Sequence, residues 1–387
     1  MRYSPLRFRP PLVPDLGLAS HLPCRRFTYD QQLREPRRSD RTRMKDSIKG
    51  MTIRALASRP VSALMAPLLE NRASIFMLHR FRDGESGLNG IHDPQMLRAC
   101  LEELRRARVP VMSLDALVTL AIQGQRIPRG TVSFTMDDGF WDQGEIGAEL
   151  FLEYDIPVTV FLITGLQDGV LWPWDDRLGY IYEKTEKKLL NLKLAGHSLC
   201  QQLGPGPDLR RVAMRETRAI FKTLPFEELE KELAVVAEQA ELTIPRAPPE
   251  KHRPLGWEAI KKLEQRGVMF GPHTVSHGIV SRMSEETARW ELLEGWQQLK
   301  ARIRSPVNIY GWPTGRDADF GPREIAIVRD AGFRAAVATE DDYAFFPADT
   351  SSDAMFSLRR FGLPGSTAEF LKYRSWLERG KQLVSLP

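Results

Sequence analysis

The sequence predicts an α/β protein built on a parallel sheet, and three observations carry that prediction. From residue 74 onward, short apolar runs alternate with amphipathic segments of helical period. The alternation breaks over residues 167–255 and then resumes, for about seven or eight strand–helix repeats. Strands joined through helices require right-handed crossovers, so the strands lie parallel in a sheet that is open or closed into a barrel.

Each element has its own justification. Residues 1–50 are rich in proline and arginine with no sustained apolar period, and are expected to be a disordered basic extension. Residues 51–71, with the apolar run 60–69, predict an amphipathic N-terminal helix. The first part of the core, 72–166, opens with the strand "SIFMLH" (74–79). A helix follows over 93–109, capped by Asp93 with Pro94 behind it. "PVMSL" (110–114) reads as a strand, 113–125 as a capped helix, "TVSFTM" (131–136) as a strand, 145–155 as a helix and "PVTVFLIT" (157–164) as a strand. Residues 167–255 read as a mainly helical insertion with a hairpin over 189–203, packed on the core. The second part of the core, 256–375, resumes with a helix at Trp257, "VMFG" (268–271) as a strand, and a helix over 284–303. Strands "VNIYGWP" and "FRAAVAT" then flank a helix at 321–332, and "MFSLRRFGL" (355–363) is the last strand before a tail at 376–387.

Charge excludes one class of function. Residues 1–50 hold twelve basic and five acidic residues, which leaves 43 basic against 45 acidic for the rest. The body is near neutral, so no nucleic-acid partner is expected. No apolar run reaches 18 residues, so no transmembrane segment is expected. The first 30 residues lack the apolar core of a secretory signal, and the three cysteines are far apart and odd in number, so no disulfide framework is expected; together these suggest a cytoplasmic protein, with a periplasmic or membrane-peripheral one as the alternative.

Two stretches carry chemistry. "SFTMDDGF" (133–140) runs an alternating strand into two adjacent aspartates, each of which raises the cost of ionising the other. "GVMFGPHTVSHG" (267–278) runs a strand into His273 and His277, whose spacing of four would put both imidazoles on one face of a helical turn. Both lie just past the C-terminal ends of expected parallel strands, where α/β folds gather catalytic residues. Two imidazoles and one carboxylate are a usual ligand set for a catalytic divalent cation. Such a cation relieves the repulsion between the aspartates, so that one can ligate while the other accepts a proton.

These stretches resemble the motifs of the NodB-homology polysaccharide deacetylases, carbohydrate esterase family 4. "FTMDDG" (134–139) is similar to that family's T-F-D-D-G, with Met136 in place of Phe, and "HTVSH" (273–277) to its H-[S/T]-x-x-H. "YGWPTG" (310–315) resembles a loosened third motif, and "FMLHRF" (76–81) the strand that opens many members. The resemblance spans roughly 72–365 and implies a distorted (β/α) barrel of about seven repeats. It implies Asp137 as general base, and Asp138, His273 and His277 as ligands of one divalent metal ion, zinc first, with cobalt, manganese or nickel as alternatives. The implied reaction is removal of an acetyl group from the nitrogen, or sometimes the oxygen, of a sugar in a polysaccharide or glycan precursor. An N–H of the Trp312, Pro313, Thr314, Gly315 loop would meet the oxyanion.

The departures shape further expectations. Gly311 stands where the third motif has an arginine that orients the base, and Thr314 where a tyrosine is usual. Arg360, or else Arg359, is expected to come round the barrel to Asp137 in place of that arginine. No Leu-x-His near the C-terminus supplies the acid, for which His79 is the candidate. Trp312, and Trp172 or Trp174, could stack on sugar rings, whereas Trp257 reads as a core anchor. Two other readings stay open: a hydrolase of a small non-sugar amide, and an inert glycan-binding or assembly protein.

Overall fold

A computed structural model describes residues 50–83, 91–169, 171–204 and 207–384. Its strands are β1 (Arg72–Leu78), β2 (Arg80–Phe81), β3 (Ile91–His92), β4 (Val132–Asp138), β5 (Thr159–Leu162) and β6 (Leu189–Leu194). They continue as β7 (His197–Gln202), β8 (Met269–Pro272), β9 (Ile309–Gly311), β10 (Ala335–Val337), β11 (Ala344–Phe345) and β12 (Phe361–Gly362).

Strands β1, β4, β5 and β8 lie side by side and parallel, with Phe76 opposite Phe134 and Asp137 opposite Phe161. The sheet then curls. Val307 N–H donates to Phe270 O at 2.8 Å, which ties β8 to the run entering β9, and β9 pairs with β10 in parallel. Leu358 bonds β10 from the far side, donating to Ala336 O at 3.0 Å and accepting from Ala338 N–H at 2.8 Å. Three and four residues on, Phe361 and Gly362 of β12 pair with β1. Residues 358–362 thus act as the stave that closes a distorted seven-stave (β/α) barrel. Only short ladders survive at this closure, because each strand there offers two or three residues for pairing.

The barrel is backed by a buried apolar layer in which Phe76 meets Phe370 of helix Thr367–Arg374 and Phe134 meets Phe151 of helix Glu149–Glu153, while Thr135 and Asp137 alternate to the inner face, where Arg360 meets them. The helices around it are those the sequence marks. Asp93 accepts from Gln95 N–H to cap Pro94–Ala107, Ser113 accepts from Ala116 N–H to cap Leu114–Ile122, and Ser284 caps Glu285–Arg302. Each such cap is worth about 1 kcal/mol. Trp257 opens helix Trp257–Gln265 and is buried in the core, as its position suggested.

Three expectations of local structure differ. Residues 110–114 make only a bridge from Val111 to Val132, because Pro110 has no N–H with which to extend a ladder. The helix expected at 145–155 begins as a π-helical turn over Gln143–Ala148 before Glu149–Glu153. The expected tail contains helix Leu377–Val384, and Trp376 Nε1–H donates to Leu56 O of the N-terminal helical region. The basic extension 1–50, apart from Gly50, falls outside the described residues.

The segment 167–255 holds helices Trp174–Lys184, Pro207–Phe221 and Leu229–Gln239 and the hairpin β6–β7, whose Leu190, Leu192 and Leu194 point inward. These elements enclose an apolar cluster of their own, which the barrel enters through Ile279. Among the described residues no helix is long and apolar enough to cross a membrane.

Candidate active site

The C-terminal edge of the sheet brings the two sequence stretches together. Leu162 of β5 pairs with both Asp138 and Pro272, so the residue after Pro272 emerges beside the aspartates. His273 Nε2 lies 3.7 Å from Asp138 Oδ1, and His277 Nε2 lies 3.5 Å from it. All three side chains are buried, and their donor atoms lie within 4.8 Å of one another.

His273 and His277 do not share a helical turn, contrary to the sequence reading. They flank a loop with Thr274 and His277 at positive φ, 62° and 63°. Thr274 Oγ1 accepts from His277 N–H at 3.0 Å, and the buried Glu291 accepts from the N–H groups of Val275 and Ser276 at 2.8 and 3.0 Å. Glu291 projects from helix Glu285–Arg302, which approaches so closely that a Cβ on Gly295 would sit 3.2 Å from Thr274 C. A hydrogen-bonded loop replaces the helix that would otherwise have aligned the rings.

The residues present fit a divalent cation. Asp138 Oδ1 is buried without a hydrogen-bond partner, an arrangement that costs about 1–3 kcal/mol unless something meets it. His273 Nδ1 lies 2.7 Å from Gly311 O, so it carries the proton and leaves Nε2 free to ligate. Burial holds the His273 imidazole down to about 3, hence neutral. Burial also pushes the Asp138 carboxyl up to about 7, with Asp176, Asp137 and Asp175 adding repulsion against the attraction of His277. Burial would lower His277, but the charge of Asp175 and its contact overcome it and raise the ring to about 9.

Asp137 has a different environment. Arg360, fully buried, grips both of its oxygens at 2.7 Å, and also donates to Thr135 Oγ1 and Ala338 O. Burial alone would raise the carboxyl, but Arg360 and, more weakly, His273 and His79 hold it at about 2. Arg360 comes from the closing stave, and Gly311 explains why it must. A Cβ at Gly311 would lie 2.7 Å from Phe161 Cγ and 3.1 Å from His273 Nδ1, so no side chain fits there. Arg359 instead points outward to Asp317.

His79 Nε2 stands 4.0 Å from Asp137 Oδ2 with 29% of its side chain exposed, which makes it the open side of the site. Burial draws its pKa below the usual imidazole value, partly offset by Asp137. Gln143, which the sequence did not flag, clamps the two strand ends. Its side-chain N–H groups donate to His79 O and Asp137 O, and its carbonyl accepts from Gly139 N–H at 2.9 Å. It opens the π-helical turn, a geometry often found at functional sites.

The tryptophans are not sugar platforms. Trp312 is fully buried, stacked on Phe320 at 4.8 Å and donating through Nε1 to Phe356 O. Trp172 donates to Pro245 O, and Trp174 stacks on Phe221 at 5.7 Å inside the insertion. Large aromatic faces satisfied the core rather than the solvent edge. Pro313 and Gly315 are likewise buried, so the loop offers a substrate chiefly Thr314, half-buried at φ 54°. Trp312 N–H donates to Val337 O and Gly315 N–H to Pro313 O, while Thr314 N–H has no such partner among the described residues.

Residues 215–336 match the family model described as polysaccharide deacetylase, the family named above on the motifs. No curated protein sequence matches the chain. Among solved structures, the Streptococcus pyogenes deacetylase PplD in complex with acetate aligns with a TM-score of 0.51 at 15% identity, covering 79% of this chain and 98% of that one. IcaB from Ammonifex degensii aligns at 0.49 and 14% identity, covering 80% and 97%.

Proposed function

We propose that this protein is a metal-dependent hydrolase that removes N-acetyl, or O-acetyl, groups from a polysaccharide or glycan precursor. The observation that carries the reading is the division between two neighbouring aspartates. Asp137 is held ionised by Arg360, while Asp138 presents an unpartnered oxygen to two imidazole nitrogens. The family match at 215–336, which includes His273, His277 and the 310–315 loop, supports it.

Asp138, His273 and His277 would hold the cation, zinc first among candidates, and when bound it would supply Lewis acidity toward water and the acetyl carbonyl. Asp137 is poised to take the proton from the attacking water, oriented by Arg360 and free of any need to lose its own proton first. Thr314 N–H, with no backbone partner among the described residues, would be the donor for the developing oxyanion. His79, beside Asp137 on the open side, is placed to protonate the leaving amine. An inert binding protein has no use for a buried base gripped in this way, which weighs against that alternative.

The test is metal content and acetate release for the wild type and His273→Ala. About one zinc per chain and acetate from an N-acetylglucosamine oligomer are expected, both lost in the variant. Zinc-loaded wild type that releases no acetate from any N- or O-acetylated glycan would refute the activity. No metal in either protein after reconstitution would refute the site.

A further inference from the structure

The sequence contains a second adjacent aspartate pair, in "WPWDDR" (172–177), at the start of the insertion. Pro173 caps helix Trp174–Lys184, and Asp175 and Asp176 fill its first turn, where negative charge suits the helix dipole. Consecutive helical residues point about 100° apart. Asp176 Oδ1 lies 3.0 Å from His252 Nδ1 and 3.9 Å from Arg80, tying the insertion to the barrel. Asp175 faces the other way. Its Oδ2 accepts from Arg218 at 2.7 Å, and its Oδ1 lies 3.5 Å from His277 Nδ1.

That last contact joins two atoms that have nothing else. Asp175 Oδ1 and His277 Nδ1 are both buried without another hydrogen-bond partner among the described residues. His277 turns Nε2 toward Asp138, so ligation through Nε2 leaves the ring proton on Nδ1, where Asp175 is the acceptor at hand. Asp175 is not itself grouped with the metal donors, since it stands behind the ring.

We infer that Asp175 is a positioning residue for the metal centre, orienting His277 through Nδ1–H, so that the insertion completes the site rather than only decorating the barrel. The inference rests on the metal-site reading above. The two ligand imidazoles are then braced from different sources: His273 by the Gly311 carbonyl of the barrel, His277 by a carboxylate of the insertion. Such outer carboxylates fix the tautomer and raise the basicity of the ligand. What sets Asp175 in place is also visible. Trp174 stacks on Phe221, and Phe221 lies one turn from Arg218 on helix Pro207–Phe221. The stack that removes Trp174 from any sugar therefore docks the two insertion helices and brings Arg218 to Asp175.

The experiment is a competition titration of zinc against a chromogenic chelator on the full chain. Asp175→Asn should still bind one zinc at saturation, but about 10–100-fold more weakly. Asp176→Asn removes the same charge one residue away and should bind zinc within about threefold of wild type if the direct contact, rather than general electrostatics, is what matters. Asp175→Asn with wild-type affinity, or an equal loss in Asp176→Asn, would overturn the inference. If circular dichroism shows that Asp175→Asn does not fold, Arg218→Gln carries the test: weaker zinc supports the inference and unchanged zinc overturns it. His273→Ala in the same titration separates the two levels, because zinc retained there means the metal-site reading fails whatever Asp175 does.

Discussion

Replacing Arg360 with methionine isolates the interaction that holds Asp137 ionised. Two hydrogen bonds of 2.7 Å to a carboxylate that is 1% exposed disappear, together with those to Thr135 and Ala338. Removing one partner of a buried ion pair costs about 3–5 kcal/mol, because the remaining charge is left uncompensated. At about 2.1 cal/mol/K of unfolding entropy per residue, a chain of 387 residues loses about 1.2 °C per kcal/mol, so a drop in Tm of about 4–6 °C at pH 7 is expected. The dependence on pH gives a sharper check. In the wild type the Asp137 pKa of about 2 lies below its ordinary 3.8, which contributes about 2 kcal/mol that is fully present above about pH 4 and is lost as pH falls through about 2. In the variant, burial acts without Arg360 and raises the carboxyl, so folding favours the protonated form. The deficit relative to wild type should therefore be largest at neutral pH and shrink toward pH 4. Thermal unfolding of both proteins at matched metal content, from pH 4 to 8, reads this directly. A deficit below about 1 kcal/mol at pH 7, or one that does not change with pH, would refute the account of Asp137.

Other perturbations separate chemistry from structure. His79→Gln should keep zinc and Tm close to wild type while lowering kcat for acetate release by about 10²–10⁴, as loss of a general acid does; an unchanged kcat rules His79 out. Gln143→Leu keeps the side-chain volume but strands Gly139 N–H and two strand-end carbonyls, so a Tm loss equivalent to about 1–3 kcal/mol is expected, with kcat falling more than KM rises. Gly311→Ala should destabilise by about 1–3 kcal/mol, since its Cβ would press on Phe161, and should weaken zinc through His273; a neutral Gly311→Ala would undo the explanation for the displaced arginine. Trp312→Phe, which loses the bond to Phe356 O inside the core, should lower Tm without changing KM for a glycan.

The elements legible from the amino-acid order are those that depend on local pattern. Alternation and helical period marked β1, β4, β5 and β8 and the capped helices, because those preferences are written within a few residues of each other. The aspartate pair and the two histidines were legible for a related reason: they sit at strand ends, and the strands were legible. Arg360 was reachable only as the answer to a gap, the missing arginine at Gly311. Which distant groups share a site emerged only once the chain was folded. Asp175, held by Arg218, lies beside His277 Nδ1, Gln143 joins the ends of β1 and β4, and Glu291 braces a loop where a helical turn was expected. Trp172, Trp174 and Trp312 went to the core, where their area is buried, rather than to the edge where a sugar would meet them. No periodicity encodes such pairings. They arise from closing the barrel and docking the insertion, which set residues tens to hundreds of positions apart within hydrogen-bonding reach.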